Sequence, residues 1–90
     1  MRCVISVLGK DRAGIVAAVA TALAQKSANI IDISQTILSD DIFSMTMLVK
    51  IDTQAASFNE VQESLGIVGE ELGVQVTLQR EDVFQMMYKI

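Results

Sequence analysis

A strand of alternating apolar residues closed by a glycine-bracketed turn, an alanine-rich helix directly after it, and a hairpin leading to a second helix–strand pair predict an α+β chain of order βαββαβ. Two such half-units place two helices on one face of a four-stranded antiparallel sheet, the ferredoxin-like plait. The 90 residues suffice for one domain, expected to span 1–90, with a core of about 1–80 and a C-terminal extension over 81–90.

Arg2 to Leu8 alternates, with Cys3, Ile5 and Val7 on one face and Val4, Ser6 and Leu8 on the other. Both faces are largely apolar, which predicts a central strand. Gly9 to Arg12 ends it, and Asp11 is placed to cap a helix running from Ala13 to Lys26, whose Ile15, Val16, Val19 and Leu23 form an apolar stripe. Ser27-Ala28-Asn29 breaks that helix. Ile30 to Leu38 then reads as a strand in which Asp32, Ser34 and Thr36 oppose Ile31, Ile33 and Ile37, with Gln35 interrupting the apolar side, a pattern suited to a sheet edge.

Ser39-Asp40-Asp41 is a turn, and the hairpin returns along Ile42 to Ile51, with Phe43, Met45, Met47, Val49 and Ile51 facing the helices. Ser57-Phe58-Asn59-Glu60 fits a capping box opening a helix from about Phe58 to Leu72. Gly66 and Gly69 inside it imply close packing, and Gly73 is its stop. Val74, Val76 and Leu78 alternate as the fourth strand. Glu81 to Ile90 is too apolar for a frayed end, so a short extra helix is expected there, covering the sheet or docking on another chain.

Composition removes several function classes. The chain has no histidine and a single cysteine, so the usual bases and thiolate sets of metal, Ser-His and Cys-His chemistry are missing, and no metal or cofactor is expected. A formal charge of −4 and only seven scattered Lys and Arg argue against nucleic acid and anionic membrane surfaces. No apolar run approaches the roughly 20 residues of a membrane-spanning helix, and none resembles a leader, which predicts a cytoplasmic protein. Aromatic residues are 4% of the chain, and Phe43 is expected to face the helices, so the stacking platform of an RNA-binding plait is absent. Cys3 reads as a small buried hydrophobe. Gly9 and Gly14 have the spacing of a phosphate-binding loop, but Ile15-Val16 stands where Lys and Ser or Thr are needed.

What remains is the turn itself. Strand, tight loop and helix N-terminus gather backbone N–H groups at one point, a geometry that suits a carboxylate or another small anion. Asp11-Arg12-Ala13-Gly14-Ile15-Val16 after a strand, with Asn29-Ile30 opening the next, resembles the ACT domain, a small-molecule-binding regulatory module of amino-acid metabolism. Gly9-Lys10-Asp11, the run Asn29 to Thr36 and the Phe84, Met87, Tyr88, Ile90 tail are similar to the small stand-alone members of that family. The resemblance implies a ligand at the loop after the first strand, commonly between two domains.

Carried onto this chain, the resemblance makes Asp11 a polar contact, Gly14 an opening that lets the ligand reach backbone N–H groups, and Asn29 a contact from the domain interface. Arg12, Ala13 and Ile15 complete the candidate ligand-binding set. Serine-binding relatives often carry Asn where this chain has Asp11. Simpler roles compete: Asp11 as a helix cap, Gly14 as a packing glycine, Asn29 as a left-handed helix exit. The expectation is a non-catalytic regulatory homodimer that binds an amino acid, paired through the second strand, with a further protein partner open. A ligand-free adaptor, and a small phosphate- or acyl-handling enzyme using Arg12 and Asp11, are the alternatives.

Overall fold

The computed structural model describes residues 1–38 and 41–88. Ser39, Asp40, Lys89 and Ile90, which belong to the expected turn and tail, lie outside the described residues. The order is β1 (Arg2–Lys10), α1 (Ile15–Gln25), β2 (Asn29–Leu38), β3 (Ile42–Lys50), α2 (Phe58–Leu72), β4 (Gln75–Arg80) and α3 (Glu81–Tyr88). The antiparallel sheet runs β2-β3-β1-β4, the plait that the sequence predicts, with β1 central and β2 at an edge.

Antiparallel partners share a face, so the register sorts the side chains. Cys3, Ile5 and Val7 lie level with Val49, Met47 and Met45, and all six are buried against Ile15, Val19 and Leu23 of α1 and Val61 and Leu65 of α2. Dense aliphatic packing takes the place of aromatic bulk in this core. Val4 is also buried, at 7% exposed, but it lies level with Leu48 on the other face, outside the main cluster. α3 packs against β1 and β4 at that end, and Glu81 pairs with Arg2 at 3.2 Å. Among the described residues no helix is long and apolar enough to cross a membrane.

Local signals decide the element ends. At α2 the Ser57 hydroxyl accepts from the Glu60 N–H at 3.2 Å and the Glu60 carboxylate accepts from the Ser57 N–H at 3.1 Å, the expected capping box. Gly73 ends α2 at φ 69°, as expected. Gly69 does pack closely, since a Cβ there would stand 2.9 Å from the Val74 carbonyl oxygen, whereas Gly66 faces open space and the close packing expected of it is not found.

α1 departs from expectation at both ends. It begins at Ile15 rather than Ala13, and its N-cap is Gly14 at φ 90°, without a side-chain hydrogen bond, so Asp11 is not its cap. At its exit the Ala28 N–H donates to the Leu23 carbonyl at 2.9 Å and the Ser27 N–H to the Ala24 carbonyl at 3.1 Å, a Schellman closure. The left-handed residue is Ser27, at φ 57°, and not Asn29, which opens β2. One residue of β2 also changes place. Ile30 pairs with Val49 and Asp32 with Leu48, so Ile31 is the extra residue of a bulge, while Ile33, Gln35 and Ile37 keep the helix-facing side.

A left-handed serine costs the fold roughly 1 kcal/mol that glycine does not. Ser27→Gly is expected to raise the thermal midpoint by roughly 4–8 °C, the shift that about 1 kcal/mol gives a domain of this size. A lower midpoint in calorimetry would refute the Schellman assignment.

Candidate functional site

The turn from β1 to α1 is held from several sides. At its start a Cβ on Gly9 would stand 2.7 Å from Val74 Cγ1 and 3.0 Å from Val74 Cα, so a bare backbone is needed where β4 is about to begin. The Asp11 N–H donates to the Asp41 carbonyl at 2.7 Å, which ties the turn to the end of the β2–β3 hairpin. Arg12 reaches across to the C-terminus of α2, where its Nη1 donates to the Leu72 carbonyl at 3.2 Å. A guanidinium there meets a helix-end carbonyl with a favourable dipole. This contact faces away from the role of an anion-binding arginine.

Gly14 then enters α1 at φ 90°, and a Cβ built on it would meet nothing within 4 Å. Glycine is required here by backbone conformation, and the space beside it is open. The packing role weighed for Gly14 belongs to Gly9. The first-turn N–H groups of α1 have no intrahelical acceptors, and no side-chain cap meets them among the described residues, which is the arrangement that suits an acceptor from solution. Ala13 is exposed, whereas Ile15 is buried at 1% exposure and anchors α1 in the core.

Asp11 through Gly14 are therefore brought together, and Asn29 is not. Asn29 is level with Lys50, which is level with Arg2, the first residue of β1, while the turn follows its last. The length of a nine-residue strand, roughly 30 Å, separates them within one chain. Asn29 instead borders a different recess with Ser27, Lys50 and Asp52.

Beside the turn lies an open recess of about 380 Å³ lined by Asp11, Gln35, Thr36, Ile37 and Phe43. β2 and β3 supply four of these walls, none singled out from the sequence as a contact. Gln35 was legible in part, being the polar residue that interrupts the apolar side of β2. A larger hollow, about 590 Å³, lies between α1 and α2, an open groove over Ala17, Ala18 and Ile67 whose polar lining is Thr21, Gln25, Ser64 and Glu71. The recess at Asp11 is smaller and sits against the turn, with Asp11, Gln35 and Thr36 as its polar walls.

Cys3 is fully buried, and burial pushes its thiol above the ordinary value of 9.0, while the N-terminal ammonium and Arg80 pull the other way. A raised pKa keeps the neutral thiol as the stable form in the fold. Its contribution to stability is complete below pH 9.0 and is lost as the pH rises through the folded value. The thiol of the native protein is expected to resist alkylation by iodoacetamide at pH 8, and to react fully in denaturant. Fast native labelling would contradict the burial.

Comparison with known proteins agrees with this architecture. The family model described as "ACT domain" matches residues 2–79. A UPF0237 protein of Methanocaldococcus jannaschii is 51% identical over 89 residues, covering 99% of this chain and 98% of the relative. Among solved structures, an ACT domain protein from Streptococcus pneumoniae superposes with a TM-score of 0.80 at 36% identity, over 94% of each chain. The regulatory subunit of aspartate kinase from Thermus thermophilus superposes with a TM-score of 0.68 at 28% identity, over 87% of this chain and 50% of that one. Sequence and fold together place the chain in the ACT domain family, a family generally made up of regulatory ligand-binding modules.

Proposed function

We propose that the chain is a non-catalytic regulatory module that binds an amino acid at the turn after β1 and pairs with a second copy through β2. The observation that carries this reading is Gly14. Its φ of 90° opens α1 without a side-chain cap, no described atom stands within 4 Å of where a Cβ would lie, and Asp11 belongs to the same four-residue turn. Backbone N–H groups suit an α-carboxylate and an aspartate suits an α-ammonium, so one zwitterion satisfies both. The neighbouring recess then receives its side chain. The likeness to a kinase regulatory subunit supports a regulatory use of such a site.

Pairing through β2 follows from what that strand leaves uncovered. Ile33 and Ile37 face the helix layer, yet they remain 40% and 53% exposed. Asp32 to Leu38, beyond the bulge, forms a regular edge with Asp32 as its one charge and no proline or lysine, the usual protections of an edge left in water. Continuing the sheet with a second β2 satisfies the edge and brings another helix layer towards those isoleucines. Antiparallel pairing about the middle of Asn29–Leu38 also sets Asn29 of the second copy opposite Leu38, at the end of the strand nearest the turn. The separation of Asn29 from Asp11 within one chain is resolved in the pair.

In thermal unfolding with each common amino acid, a true ligand at a hundredfold excess over its dissociation constant is expected to stabilise the protein by about 2.7 kcal/mol. Gly14→Val should abolish that response, because a β-branched residue is strained at φ 90° and fills the open space. A panel without any shift would overturn the ligand assignment. Separately, Ile37→Lys is expected to convert the β2-paired dimer into monomer in equilibrium sedimentation, since it places a charge in the buried seam. A dimer indifferent to Ile37→Lys would show that β2 is not the seam.

A further inference from the structure

We propose that the groove between α1 and α2 is a docking site for a partner protein, and that it takes a basic amphipathic helix. The distribution of charge selects that partner. The two helices hold four glutamates and no lysine or arginine, so the helix layer accounts for the whole formal charge of −4 and the rest of the chain is balanced. Glu60, Glu63, Glu70 and Glu71 are all exposed, and Ile67 stands among them at 57% exposure. Helical spacing puts Glu63 one turn before Ile67 and Glu70 and Glu71 one turn after it, on the same side of α2. Glu63, Glu70 and Glu71 make no ion pair among the described residues, where the salt bridges are Arg2–Glu81 and Arg80–Asp82.

The shape of the groove selects a helix. Its α1 wall is Ala17, Ala18 and Thr21, side chains that end at Cβ or Cγ, while Ile67 and Glu71 form the α2 wall, and about 590 Å³ is open between them. A third helix packs into such a groove at roughly 8–10 Å from its neighbours and satisfies its own backbone. An extended segment would leave N–H and C=O groups against two helices whose backbones are already paired. The 11 residues of α1 run roughly 16 Å, about three turns, which sets the length of segment that fits. Arg12 and Lys26 stand outside this span: Arg12 is held by the Leu72 carbonyl where α2 ends, and Lys26 closes the other end of α1.

The same charges dispose of other occupants. A second copy would bring two layers of carboxylates together with no cation on either pair of helices, and like charges across an interface cost affinity. An anionic lipid surface or a nucleic acid meets the same repulsion. A helix with lysines or arginines flanking an apolar stripe lays the stripe on Ala18 and Ile67 and its flanks against the glutamates, the helix-in-groove mode of recognition. Neither a ligand at the turn nor pairing through β2 is required for it.

The test is a titration of the isotope-labelled protein with a synthetic helix of about 14 residues, leucines on one face and lysines on the other. Two controls accompany it: the same peptide with glutamate for lysine, and one of the same composition scrambled so that no apolar face forms. The amides of Ala17, Ala18, Thr21, Ser64 and Ile67 are expected to shift, with both controls binding about tenfold more weakly. Glu70→Gln combined with Glu71→Gln should weaken binding about fivefold and flatten its salt dependence, and Ile67→Ser should weaken it about tenfold. Glu81→Gln combined with Asp82→Asn, the same charge change placed on α3, should leave binding unchanged. Far-ultraviolet dichroism is expected to stay that of the parent in the α2 variants, since all three positions are exposed. Shifts confined to the sheet or the turn would overturn the proposal. So would equal binding of the scrambled peptide, equal weakening by the α3 pair, or no binding at about millimolar peptide, the weak end of measurable affinity.

Discussion

The chain must leave the central strand and enter a helix within four residues, and nearly every element of the fold contributes to fixing that turn. Val74, just ahead of β4, presses against Gly9, the hairpin supplies the Asp41 carbonyl to the Asp11 N–H, α2 supplies the Leu72 carbonyl to Arg12, and Gly14 caps α1 as a left-handed residue. None of these contacts is strong by itself, since a typical net hydrogen bond contributes about 1 kcal/mol. Their effect is geometric. A turn tied to three separate elements holds its N–H groups at fixed directions, and preorganised donors cost less to use than donors that must first be ordered.

The sequence carried the fold well because its strongest signals are local. The Ser57–Glu60 box, the glycine at Gly73 and the alternation of Phe43 to Val49 each act through neighbours a few residues away, and each appears in place. The misread positions are those where a distant contact decides. Gly9 and Gly14 look alike in the sequence, yet one is bare because Val74 approaches it and the other because of its own backbone angle. Arg12 sits in the motif as a candidate anion ligand, but its guanidinium partner lies 60 residues on, at Leu72. Asp11 precedes a helix and is a good capping residue, but the helix starts three positions later than a cap at Asp11 requires.

Asn29 shows the limit from the other side. The motif that names it pairs it with the turn, whereas the single chain puts it at the far end of the sheet. The proposed antiparallel pairing through β2 would bring the two together, because it exchanges the ends of that strand. A 90-residue aliphatic domain without a disulfide has little core to spare, and surfaces that pair with their own copies add burial without lengthening the chain.

The central claim is a ligand clasp built from the turn of one chain and Asn29 of another, and amide chemical shifts read both parts at once. The labelled protein is titrated with whichever amino acid stabilises it. The Ile15, Val16 and Ala17 amides and the Asn29 side-chain amide are expected to move together, with one dissociation constant. Shifts confined to the groove between α1 and α2, or movement at the turn with Asn29 unaffected, would contradict it.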